Sequence, residues 1–266
     1  MAPVTRDFQQ ATMKSDQRAK VTLYWLDKSR SQRVLWLLEE LKVDYELKTF
    51  KRQNMLAPPE LTKIHPLGKS PVVTVESEAS PKPLVLAESG YIFEYLIDHF
   101  GSWLAPERYQ KGKDGMVCGE AEEWTRYRYY MHYAEGTLMP YLVTWLLFNT
   151  MKKQSPFFIR PIVSMLAGAV ESNFLLPNLK ANWAFLESQL ATSPNNGEYL
   201  CGAQLTGADI MVSFPVGAAR DKLGFTKGAY PRLWAWVEKC EGMDGYKKSV
   251  QKIIDVEGYY EPVSEM

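Results

Sequence analysis

The sequence predicts two unlike halves: an α/β domain over residues 21–104 and an all-helical domain over residues 116–266. Three observations carry this prediction. Val21 to Thr49 runs β-rich, then helical, then β-rich again, the pattern of a parallel strand pair with a right-handed crossover. Pro71 then leads a strand-like stretch with Val72, Val73 and Val75. Beyond residue 116 no alternation of period two stands out, and apolar residues recur at helical spacing.

Val21 to Trp25 (VTLYW) is rich in β-branched and aromatic residues and reads as the first strand. After the polar turn Asp27-Lys28-Ser29-Arg30-Ser31, residues Val34, Leu37, Leu38 and Leu41 fall on one helical face. Ser29 or Ser31 is a natural N-cap there. Asp44 to Thr49 is the second strand. Residues 50–64 form a basic connection containing Lys51, Arg52, Pro58 and Pro59, with a short helical stretch near its end. Proline lacks a backbone N–H, so Pro71 can begin a strand but not occupy its middle. Val72 to Val75 and Leu84 to Leu86 pair as a hairpin around the polar loop Glu76 to Pro83. A helix opens at Glu88-Ser89, carries Ile92, Tyr95 and Leu96 at helical spacing, and stops at Gly101. The order is βαβαββα, the thioredoxin-like arrangement, and it ends near Leu104.

Residues 105–115 are polar and serve as the linker between domains. Met116 to Glu135 carries Trp124, Tyr127, Tyr129, Tyr130 and Tyr133, a helix aromatic on more than one side. The apolar run Leu138 to Phe148 contains Pro140 and is shorter than the roughly 20 residues of a membrane span; it reads as a buried helix. Residues 155–175, 177–191 and 231–241 are further amphipathic helices. In Leu205-Thr206-Gly207-Ala208-Asp209-Ile210, Thr206 caps a helix and Asp209 closes a capping box. Leu205 and Ile210 supply the hydrophobic staple.

Composition narrows the function. Thirty-one basic and 31 acidic side chains cancel, so no polyelectrolyte signal points to nucleic acid or an anionic membrane. Cys118, Cys201 and Cys240 are far apart and form no CxxC pair, which suits packed thiols in a reducing, cytoplasmic setting. Three histidines without HxxxH spacing give no metal site. Residues 1–20 lack an apolar core stretch and read as a disordered extension, not a secretory signal.

Two binding devices adjoin each other in the first domain. X-Pro bonds are where cis peptides occur, and a cis bond at Ser70-Pro71 would turn the Ser70 backbone outward to pair with an extended peptide. The helix opening at Glu88-Ser89 can hold an α-amino acid: N–H groups and the Ser89 hydroxyl take the carboxylate, Glu88 the ammonium. Alone, each is an ordinary strand start or helix cap. Side by side, they suit a peptide with a free amino-acid end.

The stretches WLDKSRSQRVLWLLEEL, APPELTKIHPLGKSP, LAESGYIFEYL, HYAEGTLMPYL and LTGADIMVSFP resemble the glutathione transferases, and within them the yeast and fungal transferases of the membrane-associated type. The resemblance covers about residues 21 to 257. It implies that glutathione is the co-substrate, with Glu88 and Ser89 at its γ-glutamyl end and the Ser70 backbone, before cis-Pro71, at its cysteinyl amide. The glycyl carboxylate needs a cation, for which Lys69 is the first candidate and Lys51 and Arg52 are weaker ones. Serine-using transferases of the theta and phi type place a hydroxyl at the start of the first helix. Counting back from Arg33 puts it at Ser29, with Ser31 the rival.

A thiol titrates near about 8.5, and lowering that by about two units needs about 2.7 kcal/mol of preference for the charged sulfur. A hydroxyl donor at a helix N-terminus supplies this without a base. The resemblance also implies a homodimer and a second substrate, a small apolar electrophile or hydroperoxide, lined by Tyr129, Tyr130 and Tyr133. The alternative is a non-catalytic, glutathione-dependent carrier or regulatory module of the same fold. The intact serines and the Glu88-Ser89 pair favour the enzyme.

Overall fold

A computed structural model describes residues 17–53 and 56–261. Most of the expected extension lies outside the described residues, and its last part does not match: Ala19 and Lys20 already belong to the first strand.

The first domain is a four-stranded sheet in the order β2-β1-β3-β4, with β1 at Ala19–Leu26, β2 at Tyr45–Phe50, β3 at Val72–Ser77 and β4 at Leu84–Ala87. β1 runs parallel to β2, and β3 is antiparallel to both β1 and β4. Val21, Leu23, Val73 and Leu86 are fully buried. They pack in one core with helices α1 (Ser31–Leu41) and α2 (Ser89–Phe100) through Leu35, Leu38, Ile92 and Leu96. The helix expected between β2 and β3 is only the 3₁₀ turn Pro59–Lys63. Pro66 explains its brevity, because a residue preceding proline is pushed out of the helical region.

The second domain is helical: α3 (Glu122–Tyr133), α4 (Met139–Gln154), α5 (Arg160–Val170), α6 (Leu176–Ala191), α7 (Gly207–Ala218), α8 (Pro231–Gly242) and α9 (Asp244–Glu257). α3 begins later than the sequence suggests. Residues 105–121 close into a loop instead, through Gln110 N–H to Gly119 C=O and Ala121 N–H to Arg108 C=O, both 2.9 Å. Two π-helical turns, Ala134–Leu138 and Glu171–Leu175, join α3 to α4 and α5 to α6. Each stands just before a proline, Pro140 or Pro177. A proline has no N–H to donate and crowds the carbonyl of the preceding turn, and a widened turn accommodates both defects without ending the helix.

The expectation of a buried helix from Leu138 to Phe148 fails. Of α4 only Met139 and Leu142 are buried, and Leu147 stands exposed with Phe157, Phe158 and Ile162 at the tip of the α4–α5 hairpin. Among the described residues one helix, Arg160–Ala191, is long and apolar enough by length and composition to cross a membrane, at mean hydropathy 1.2. Its later turns bury Leu175, Leu179, Trp183 and Leu186 in the domain core.

α7 is the buried centre of this domain. The capping box is present: the Asp209 carboxylate accepts from Thr206 N–H at 3.0 Å and from the Thr206 hydroxyl at 2.8 Å. Thr206→Ala is expected to cost about 1 kcal/mol. Gly207 follows where α7 meets the first domain, and a Cβ there would come within 2.4 Å of Ile97 Cδ1. Gly207→Ala is expected to lower stability by about 1–3 kcal/mol, the cost of overpacking a filled site. Urea unfolding of the two variants checks both values.

Candidate functional site

The sheet register gathers the predicted site residues. Tyr24 of β1 lies opposite Val72 of β3, and Val72 lies opposite Ala87 of β4. The loop after β1, the Ser70-Pro71 bend before β3 and the Glu88-Ser89 step after β4 therefore share one edge of the sheet. The Ser70–Pro71 peptide is cis, as the sequence suggests, and the Ser70 hydroxyl donates to Tyr24 C=O at 3.1 Å. Glu88 is exposed and takes φ +71° as α2 begins, a left-handed backbone that a non-glycine residue adopts at a cost of order 1–3 kcal/mol. Ser89 is buried, and its hydroxyl oxygen accepts from Arg33 Nη2 at 3.1 Å.

In the β1–α1 loop the serines behave differently from simple caps. Arg30 occupies the N-cap position of α1, and both hydroxyls turn back toward Leu26. Ser31 accepts Leu26 N–H at 3.0 Å and donates to Leu26 C=O at 2.9 Å. Ser29 accepts Ser31 N–H at 3.2 Å, lies 2.8 Å from Leu26 C=O, and lies 2.7 Å from the Ser31 oxygen. Ser31 is wholly buried, whereas Ser29 retains 8% exposure.

The three expected cations divide. Arg52 braces the loop: its N–H donates to Asp27 Oδ1 at 2.7 Å, and its guanidinium donates to Asp27 C=O and Lys28 C=O, both at 3.1 Å. Burial pushes its guanidinium down from the ordinary value, and Asp27 opposes that. Lys51 pairs with Glu257 at 3.0 Å and lies over the Tyr259 ring. Lys28 pairs with Glu261, so α9 and the segment after it are tied to the same loop. Arg52 and Lys51, two of the candidate cations for a ligand carboxylate, thus already meet partners within the chain. Lys69 is exposed and, among the described residues, has no such partner.

The three tyrosines expected around a second ligand pack against neighbouring helices. Tyr130 donates to Gln189 Oε1 at 3.3 Å and Tyr133 to Asn182. Tyr129 stacks on Tyr133 with centroids 5.4 Å apart and meets Phe185 edge-on. All four partners lie on α3 or α6, so these rings pack the α3–α6 seam. Burial raises the hydroxyls of Tyr130 and Tyr133 well above the ordinary tyrosine value, which suits packing more than proton transfer.

The residue that the turn after α3 sends toward α1 is one the sequence reading missed. Glu135, on the first π turn, contacts Arg33 and Arg30. Arg33 is 1% exposed at its side chain. It donates to Met211 C=O at 3.0 Å and lies over the Phe214 ring. Burial drives its guanidinium below its ordinary value, and Glu135 opposes that. One arginine thus links Ser89, α7 and Glu135 across both domains.

Known proteins match this arrangement. The "Glutathione S-transferase, N-terminal domain" family model matches residues 19–98 and the C-terminal domain model residues 169–239. Glutathione S-transferase 1 of Saccharomyces cerevisiae is 34% identical, with 87% of this chain and 94% of that protein covered. The chain belongs to the glutathione S-transferase family. A glutathione S-transferase from Actinobacillus pleuropneumoniae superposes on this transferase with TM-score 0.60 at 26% identity, covering 92% of this chain and 99% of that one. A glutathione transferase homolog from Lodderomyces elongisporus, solved with two glutathione molecules per subunit, gives TM-score 0.63 at 19% identity over 86% and 97% of the two chains. The thioredoxin-like domain followed by a helical domain is the shared architecture.

Proposed function

We propose that this glutathione S-transferase binds glutathione along the sheet edge and activates its thiol with the Ser29 hydroxyl. It then transfers the sulfur to a small apolar electrophile or reduces a hydroperoxide. The observation that carries the reading is the convergence of the Ser29 loop, Ser70-Pro71 and Glu88-Ser89 on one edge. The γ-glutamyl end lies at Glu88 and Ser89, the cysteinyl amide at the Ser70 backbone, and the glycyl carboxylate at Lys69.

Hydrogen-bond accounting supports Ser29 over Ser31. Two hydroxyl protons share one carbonyl, Leu26 C=O. Ser31 also holds Leu26 N–H, so both its capacities are committed to the loop. Ser29 is engaged too, since it accepts Ser31 N–H, but its proton is the redundant one at Leu26 C=O and can turn to a sulfur while Ser31 keeps Leu26 satisfied. α1 has no acidic residue in its first turn, so its N-terminal partial charge is left to act on an anion.

The test is an ultraviolet difference titration of glutathione bound to the purified protein, following thiolate absorbance. Thiolate forming well below the free thiol's range supports activation. Binding with an unshifted thiol supports the carrier alternative. In either reading the active form is a homodimer, which sedimentation velocity checks.

A further inference from the structure

We propose that Arg30, aimed by Glu135, is the oxyanion donor for the hydroperoxide reaction and that Glu135 is its positioning residue. The inference rests on the thiolate reading above and extends it to the second substrate.

Arg30 lies between the two serines at the start of α1. Its Nε–H is held between the two Glu135 oxygens, at 3.2 and 3.0 Å. Among the described residues its terminal amino groups meet no partner, and its side chain keeps 35% exposure. A guanidinium gripped at one nitrogen and open at the others presents a fixed pair of donors. Glu135 also serves Arg33, which is buried. One carboxylate therefore faces two cations, and Arg30 is near enough to depress the proton affinity of Arg33 and Arg52 alike.

Its direction defines its use. The devices for glutathione lie on the first-domain side of Ser29, at Ser70, Glu88 and Ser89. Glu135 belongs to the second domain, on the π turn after Tyr133, and its carboxylate ties the Arg30 side chain to that domain. A donor there meets the electrophile, not the peptide.

The chemistry needs such a group. The thiolate attacks the outer oxygen of the hydroperoxide; an S–O bond forms, the O–O bond breaks, and its electron pair leaves on the inner oxygen as alkoxide. Arg30 N–H groups stabilise that alkoxide until water protonates it to the alcohol. The glutathione sulfenic acid is then consumed by a second glutathione thiol, giving disulfide and water. Alkoxide is strongly basic, so its departure depends on a hydrogen-bond donor far more than the departure of bromide does.

The experiment compares turnover of cumene hydroperoxide and benzyl bromide by the full chain with glutathione. Arg30→Ala is expected to lower the hydroperoxide rate by about 10²-fold, the usual cost of one oxyanion donor, and to lower the hydroperoxide-to-bromide ratio by at least about tenfold. Arg30→Lys keeps the charge without the fork and restores part of the ratio. Glu135→Gln shifts the ratio in the same sense by less. An unchanged ratio in Arg30→Ala, whether both rates fall or neither does, overturns the inference. So does a wild-type protein that forms bound thiolate but does not reduce the hydroperoxide. Absence of bound thiolate in wild type condemns the underlying thiolate reading instead. Glu135→Gln leaves Arg33 short of its counter-ion and can impair folding, whereas Arg30 is partly exposed, so its variants keep the test decisive.

Discussion

Asp209→Ala is expected to lower the unfolding free energy by about 3–5 kcal/mol, the range in which stranded buried polar groups dominate a mutation. The Asp209 carboxylate is wholly buried and accepts four hydrogen bonds. Leu200 N–H donates at 2.9 Å, Thr206 N–H at 3.0 Å, the Thr206 hydroxyl at 2.8 Å and Trp236 Nε1–H at 3.1 Å. Burial pushes this carboxyl up, and the same donors pull it back. Alanine removes the acceptor and leaves the donors in a closed core. Each would separately cost about 1–3 kcal/mol, but they share one centre, so their losses do not add. Asp209→Asn keeps an acceptor oxygen and is expected to lose less. Urea unfolding reads both. A loss below about 1.5 kcal/mol for alanine would mean that the donors find other acceptors, and the helix start would then not be the domain's keystone.

This carboxylate also shows how far the sequence could be read. Thr206 and Asp209 lie three residues apart, so a local rule finds their pairing. The bonds to Leu200 and Trp236 depend on chain segments that only the fold brings in, and no spacing announces them. The same division runs through the site. Ser70-Pro71, Glu88-Ser89 and Gly101 are legible because proline geometry, a helix start and a glycine stop are local properties. Tyr133 and Glu135 are two residues apart on one helical run. Which of them faces the first domain depends on a π turn, and proline gives the same signal whether a helix ends or widens. Glu135 meets Arg33 across 102 positions, and a lone acid on a helix reads as a solvated face. Arg52 was legible as a cation near the site, yet its use was not, since the Asp27 and Lys28 carbonyls that hold it are brought close by the parallel pairing of β1 and β2.

Ser29→Ala and Ser31→Ala separate two hydroxyls that stand 2.7 Å apart into two roles. With Ser29 removed, the bound thiol is expected to return toward its free value of about 8.5, a change of about two units. At neutral pH that lowers the thiolate fraction, and with it turnover, by about 25-fold, and the deficit approaches about 10²-fold only below the activated value. The sign with pH follows from the same quantity. Above the free thiol's value glutathione is thiolate without help, so the deficit of Ser29→Ala shrinks as pH rises through that range. Ser31→Ala strands Leu26 N–H in a buried loop and is expected to cost stability, about 1–3 kcal/mol, while the thiolate still forms at low pH. Thiolate titration and urea unfolding of both variants read the two roles independently. If Ser31→Ala loses the thiolate and Ser29→Ala keeps it, the donor is the buried serine and the loop must open when glutathione binds. If both variants retain full turnover, no hydroxyl activates the sulfur, and the positive end of α1 becomes the candidate source of its stabilisation.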